Sequence, residues 1–84
     1  MTRTEFIEKY GDVKVEFSSY YKYTFTFCGS LPNGDYISVD VGGSSDDIYR
    51  MTVEADIEES IVRLNPFSGS VFSNDVEIES FYDY

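Results

Sequence analysis

The strictest constraint on this chain is a run of large side chains that recur at every second position. Val13, Val15 and Phe17, then Tyr21, Tyr23, Phe25 and Phe27, alternate with Lys14, Glu16, Lys22, Thr24 and Thr26. A period of two belongs to a strand with one buried face and one wet face, and it does not fit a helix. Tyr20 is the large residue out of phase. One uninterrupted strand of this length would be unusual, so "SSY" at 18–20 is expected to divide it into two.

The next stretch, "LPNGD" at 31–35, reads as a hairpin turn. Pro32 presets the first corner, Asn33 tolerates the second, and Gly34 supplies a left-handed position. It leads into a strand in which Ile37, Val39 and Val41 alternate with Ser38 and Asp40. "GGSSDD" at 42–47 reads as a polar loop. "IYRMTVEA" at 48–55 reads as another strand, with Tyr49, Met51, Val53 and Ala55 on one face.

Two segments have helical spacing instead. In "TRTEFIEKYG", Thr2 and Glu5 form a capping box, Phe6 and Tyr10 share a face widened by Ile7, Glu5 supports Lys9, and Gly11 is the stop. From Asp56, a second capping box with Glu59 precedes Ile57, Ile61 and Leu64, and "NP" at 65–66 ends the helix. After a loop at 66–75 with a short strand at 71–72, the chain closes on a strand. Val76 and Ile78 are expected to point inward, and Asp75, Glu77 and Glu79 outward. Together these give one compact domain over 1–84, of α+β class: a short N-terminal helix, a mainly antiparallel sheet of four to five strands, and a second short helix near 56–64. The expected core is Phe25, Phe27, Ile37, Val39, Val53 and Ile78.

Eighty-four residues lie near the lower limit for a single core, and aromatic residues, 18% of the chain, compensate by burying much area each. The single cysteine, Cys28, cannot form an intramolecular disulfide and fits a reducing compartment. Residues 1–12 carry charges where a signal peptide needs an apolar stretch, and no apolar run is long enough to span a membrane. The expected location is the cytoplasm.

Histidine is absent, which removes the commonest general base and metal ligand. Cys28 has no histidine to activate it and reads as a half-buried strand residue. Zinc would need more soft ligands than one cysteine. No glycine-rich phosphate loop is present, and Asp46 and Asp47 beside "GGSS" lack the spaced acids of a calcium loop. A paired-carboxylate glycosidase would need a larger concavity than so short a chain builds. No catalytic residue, cofactor or metal is assigned, and the chain is not expected to be an enzyme.

What remains is charge. The net charge is −10, but residues 1–28 are balanced, with four acids and four bases; residues 29–84 hold twelve acids against Arg50 and Arg63 alone. Such a field repels nucleic acid and anionic membranes and attracts basic proteins. Within "VEADIEES" at 53–60, Asp56, Glu58 and Glu59 have a local explanation in the first turn of a helix. Asp75, Glu77 and Glu79 have none; on one strand face they would stand about 7 Å apart. A solvated outer face would also look like this, so the argument for binding is collective. It takes Asp46, Asp47, Glu54, Glu58, Glu59, Asp75, Glu77, Glu79 and Asp83 as candidate partner-binding acids, with Tyr82 and Tyr84 as aromatic anchors.

In size, acidity and lack of catalytic residues, the whole chain resembles the small acidic inhibitors carried by phages, including anti-CRISPR proteins that act as nucleic-acid mimics. The resemblance implies a monomeric, stoichiometric inhibitor that acts in the host cytoplasm. It would bind a basic nucleic-acid-binding protein, a CRISPR effector or nuclease, and neither nucleic acid directly nor a membrane. Two alternatives stand beside it: an immunity protein or antitoxin against a basic nuclease toxin, and a phage structural or assembly protein.

Overall fold

The computed structural model describes residues 1–44, 46–54 and 58–83, and for Asp47, Ile48, Met51 and Glu54 the backbone alone. Ala55, from the strand expected at 48–55, and Asp56 and Ile57, from the helix expected at 56–64, lie outside the described residues, as does Tyr84.

Helix α1 spans Arg3–Tyr10 and opens with the expected capping box: Glu5 N donates to Thr2 Oγ1 at 3.1 Å, and Thr2 N donates to Glu5 Oε1 at 2.9 Å. Strands β1 (Lys14–Tyr21), β2 (Thr24–Ser30) and β3 (Tyr36–Gly42) follow as an antiparallel meander. The "LPNGD" turn forms as expected. Gly34 sits at φ 93°, Gly34 N donates to Leu31 O at 2.9 Å, and Asp35 N donates to Asn33 Oδ1 at 3.0 Å.

The first turn lies elsewhere than expected. The strands break at Lys22–Tyr23, whose φ angles of 46° and 66° make a tight two-residue hairpin. "SSY" instead holds a bulge between Phe17 and Ser19. Two residues that are neither glycine nor asparagine occupy the left-handed corners, so no turn signal marked the place. Tyr21 and Tyr23 consequently face solvent rather than the core.

The expected strand at 48–55 is helical over its described residues, 48–54. Helix α2 covers Asp46–Tyr49, and a π-helical segment, Arg50–Glu54, continues it. Tyr49 and Val53 fit i, i+4 spacing as well as alternation, and a short apolar run cannot separate the two. Asp46 and Asp47 in the first turn suit the positive end of a helix, and Arg, Met and Glu are good helix formers. Val53, expected in the core, is only half-buried.

The expected helix at 56–64 is also corrected. Glu58 precedes a short strand, β4 (Glu59–Ser60), and of the described residues in this span Ile61–Leu64 alone are helical, as α3. The outer edge of β1 takes this segment, with Lys14 against Ser60 and Val15 against Glu59. Asn65, left-handed at φ 53°, then ends α3 before Pro66. Strands β5 (Ser68–Ser73) and β6 (Val76–Tyr82) complete an antiparallel sheet of six strands, ordered β4-β1-β2-β3-β5-β6, where four to five were expected. The two further strands come from β4, set by its neighbour, and from a β5 longer than residues 71–72 foreshadowed. The α+β class stands.

One face of the sheet carries the core. Phe25, Phe27, Ile37, Val39 and Val71 meet Phe6 and Tyr10 of α1, Ile61 and Leu64 of α3, and Phe81. The other face is lined by Thr26, Cys28, Tyr36, Ser38, Asp40, Ser70 and Phe72, none fully buried. No described helix is long and apolar enough to cross a membrane.

Strand β6 reverses the expected register. A bulge sets Val71 opposite Glu79 but Phe72 opposite Glu77, so Ile78 has no partner of its own. Val76 and Ile78 are therefore 62% and 53% exposed, and the core residue of this strand is Phe81.

Candidate functional site

The bulge also separates the three acids expected on one face. Glu77 pairs with the open-face residue Phe72, whereas Glu79 pairs with the core-face residue Val71. Asp75 belongs to neither row, since it forms the β5–β6 turn with Asn74, at φ 64° and 51°.

Glu79 has an internal use. Its carboxylate accepts hydrogen bonds from Lys9 Nζ at 2.8 Å and from the Tyr10 hydroxyl, so it clamps α1 to β6. The Lys9 ammonium, and then the Tyr10 hydroxyl, hold the Glu79 carboxyl below its usual 4.5. The same contact raises Lys9 above 10.5, while burial, and then Glu79, raises Tyr10 above 10.0. A depressed carboxyl stabilises the fold above its ordinary value, and that stability is lost as pH falls through its folded value. The raised Lys9 and Tyr10 act at the alkaline end, where their contribution is lost as pH rises past ten. Melting midpoints of wild type and Glu79→Gln are thus expected to differ near neutral pH and converge as pH falls below the ordinary glutamate value. A gap that stays constant across that range would show that the clamp contributes nothing.

Other candidates are withdrawn or held on the surface. Glu59, expected in a helix, is 4% exposed; its Oε1 accepts from Ser60 N at 3.2 Å and faces Arg63 at 3.5 Å. It is not available to a partner. Asp46, Glu58, Glu77, Tyr82 and Asp83 are exposed. Asp47 and Glu54 occupy helical positions, and Tyr84 lies outside the described residues. Asp40, half-buried, is satisfied by Thr26 Oγ1 at 2.9 Å and Ser68 Oγ at 3.0 Å.

What the fold gathers is one end of the sheet. The turn before β1 carries Asp12, the β2–β3 hairpin carries Asp35, and the β5–β6 turn carries Asp75; all three lie at this end because the strands are antiparallel. Two open grooves flank the hairpin. One, of about 580 Å³, is lined by Asp12, Lys14, Glu16 and Glu58 together with Cys28 and Pro32. The second, of about 540 Å³, is lined by Gly34, Tyr36, Phe72, Asn74 and Asp75. Lys14 is the one base lining either groove among the described residues.

Asp12 and Glu16 were missed by sequence reasoning because they sit in the electrically balanced first third of the chain. Pairing of β4 with β1 is what brings Glu58 to them. Cys28 takes the half-buried strand position expected of it, with Sγ 3.9 Å from Ser38 Oγ. Interaction with Cys28, then burial, pushes the Tyr36 phenol up to about 12, which keeps it neutral. Among the described residues no group of three or more acids or cysteines is placed to hold a metal ion. The first groove offers carboxylates to a cation, and the second adds aromatic faces. No protein-family model, curated protein or solved structure matches the chain, so its function is argued from the chemistry of these surfaces.

Proposed function

We propose that the protein is a non-catalytic acidic inhibitor that occupies the positively charged nucleic-acid-binding surface of an effector protein, as an anti-CRISPR-type mimic does. The observation that supports it is the acidic end of the sheet: Asp12, Glu16, Glu58, Asp75 and Glu77 are exposed there, drawn from separate elements. Helix capping explains none of them, because Glu58 lies outside any helix. Gathering like charges costs stability through self-repulsion, and a domain this small stays soluble with a smaller net charge than −10. A cationic channel that grips phosphates would meet this end with charge-assisted bonds. The protein would act as a monomer in the host cytoplasm, where such effectors work.

The test is displacement of labelled duplex DNA or guide RNA from a nucleic-acid-guided effector nuclease, at low and at physiological salt. Wild type is expected to displace it, with affinity falling steeply as salt rises. Glu58→Lys is expected to weaken displacement about tenfold, or about 1.4 kcal/mol. Glu8→Lys makes the same change in net charge on α1, away from both grooves, and is expected to do far less. Equal displacement by the two variants, or displacement indifferent to salt, would overturn the proposal.

A further inference from the structure

The second groove has a composition that the first lacks. Its walls are two aromatic rings, Tyr36 and Phe72, paired across β3 and β5 with centroids 6.0 Å apart and planes inclined at 47°. Tyr36 is 46% exposed, so a ring face is presented to solvent. One carboxylate, Asp75, lines the groove from the turn, and a second, Glu77, is the register partner of Phe72 on β6. Both are exposed, and no base lines this groove among the described residues.

An aromatic wall beside carboxylates selects a cation with a flat face. Guanidinium stacks on aromatic rings, forks to a carboxylate and is more weakly hydrated than ammonium. Lysine can provide the charge without the plane. We propose that this groove receives an arginine side chain from the partner protein, stacked on Tyr36 and Phe72 and bonded to Asp75 and Glu77. The inference rests on the inhibitor reading for the identity of the partner, but the groove's chemistry can be tested without one. A second copy of the chain is a poorer occupant. Two molecules of −10 repel.

The probe is a blocked Gly-Arg-Gly-Arg-Gly peptide, with its lysine counterpart, titrated into the whole protein at physiological salt and followed by amide chemical shifts. Shifts are expected to centre on Tyr36, Phe72, Asp75 and Glu77, with the arginine peptide binding more tightly than the lysine peptide. Tyr36→Leu keeps the net charge and much of the bulk, and is expected to weaken the arginine peptide roughly threefold or more. Should Tyr36→Leu disturb the fold, Asp75→Asn with Glu77→Gln makes the same test, because asparagine tolerates the left-handed corner at 75. Glu58→Gln, in the other groove, is expected to leave the arginine peptide unaffected. Shifts centred on Asp12, Glu16 and Glu58, equal affinity for the two peptides, or an unweakened Tyr36→Leu would overturn the proposal. So would a concentration-dependent dimer that covers Tyr36 in sedimentation. Any of these outcomes in a protein that still displaces DNA from an effector would leave the inhibitor reading standing and remove the arginine groove alone.

Discussion

Replacing Phe6 with alanine is expected to destabilise the domain by about 3–5 kcal/mol, an amount comparable to the whole stability of a chain this size. Phe6 has no exposed surface. Its ring lies 4.6 Å from that of Phe81 and 5.0 Å from that of Tyr10, which joins α1 to the last strand. Removing it empties the centre of the contact between the helix and the sheet. Collapse to fill the gap is limited, since the capping box at Thr2 and the Glu79 clamp hold α1 at both ends. Urea unfolding followed by circular dichroism would measure this. A cooperative Phe6→Ala protein with a nearly unchanged midpoint would mean that α1 is an ornament on a sheet that folds without it.

The second large effect is the reverse change at the residue that makes room for this ring. A Cβ on Gly69 would lie 2.7 Å from Phe6 Cζ, 2.9 Å from Phe6 Cε1 and 3.0 Å from Phe81 Cε1. Real Cβ atoms do not approach carbon so closely, and both rings are packed in place. Gly69→Ala is therefore expected to cost roughly 1–3 kcal/mol by overpacking, although alanine suits a strand better than glycine. Phe6→Leu shortens the opposing side chain and should relieve part of the loss. The double variant is expected to be more stable than the two separate losses predict, as coupled neighbours are. Strict additivity would show that Gly69 is required for the backbone and not for Phe6.

These contacts mark where local reasoning succeeds. The first helix, the hairpin at Gly34 and the inward set Phe25, Phe27, Ile37 and Val39 follow from capping chemistry, turn chemistry and a period of two, each of which acts within a few residues. A residue's partner within its own turn or strand needs no knowledge of the rest of the chain. The same reasoning fixed Cys28 as a half-buried strand residue and the class of the fold as α+β.

Other features depended on neighbours distant in sequence. Residues 59–60 became a strand because β1 had an unfilled edge, and this overrode the capping pattern that Asp56 and Glu59 display. Ile78 turned outward and Glu79 inward because of a bulge, and one inserted residue exchanges the faces of everything beyond it. The acidic end of the sheet arises the same way. Asp12 and Glu16 are neutral company in the sequence, each near a lysine, and only strand pairing sets them beside Glu58 and across the hairpin from Asp75. Composition determined how much negative charge the protein carries. Where that charge stands depends on the register and order of six strands, because a charge acts through space over distances that alternation along the chain does not encode.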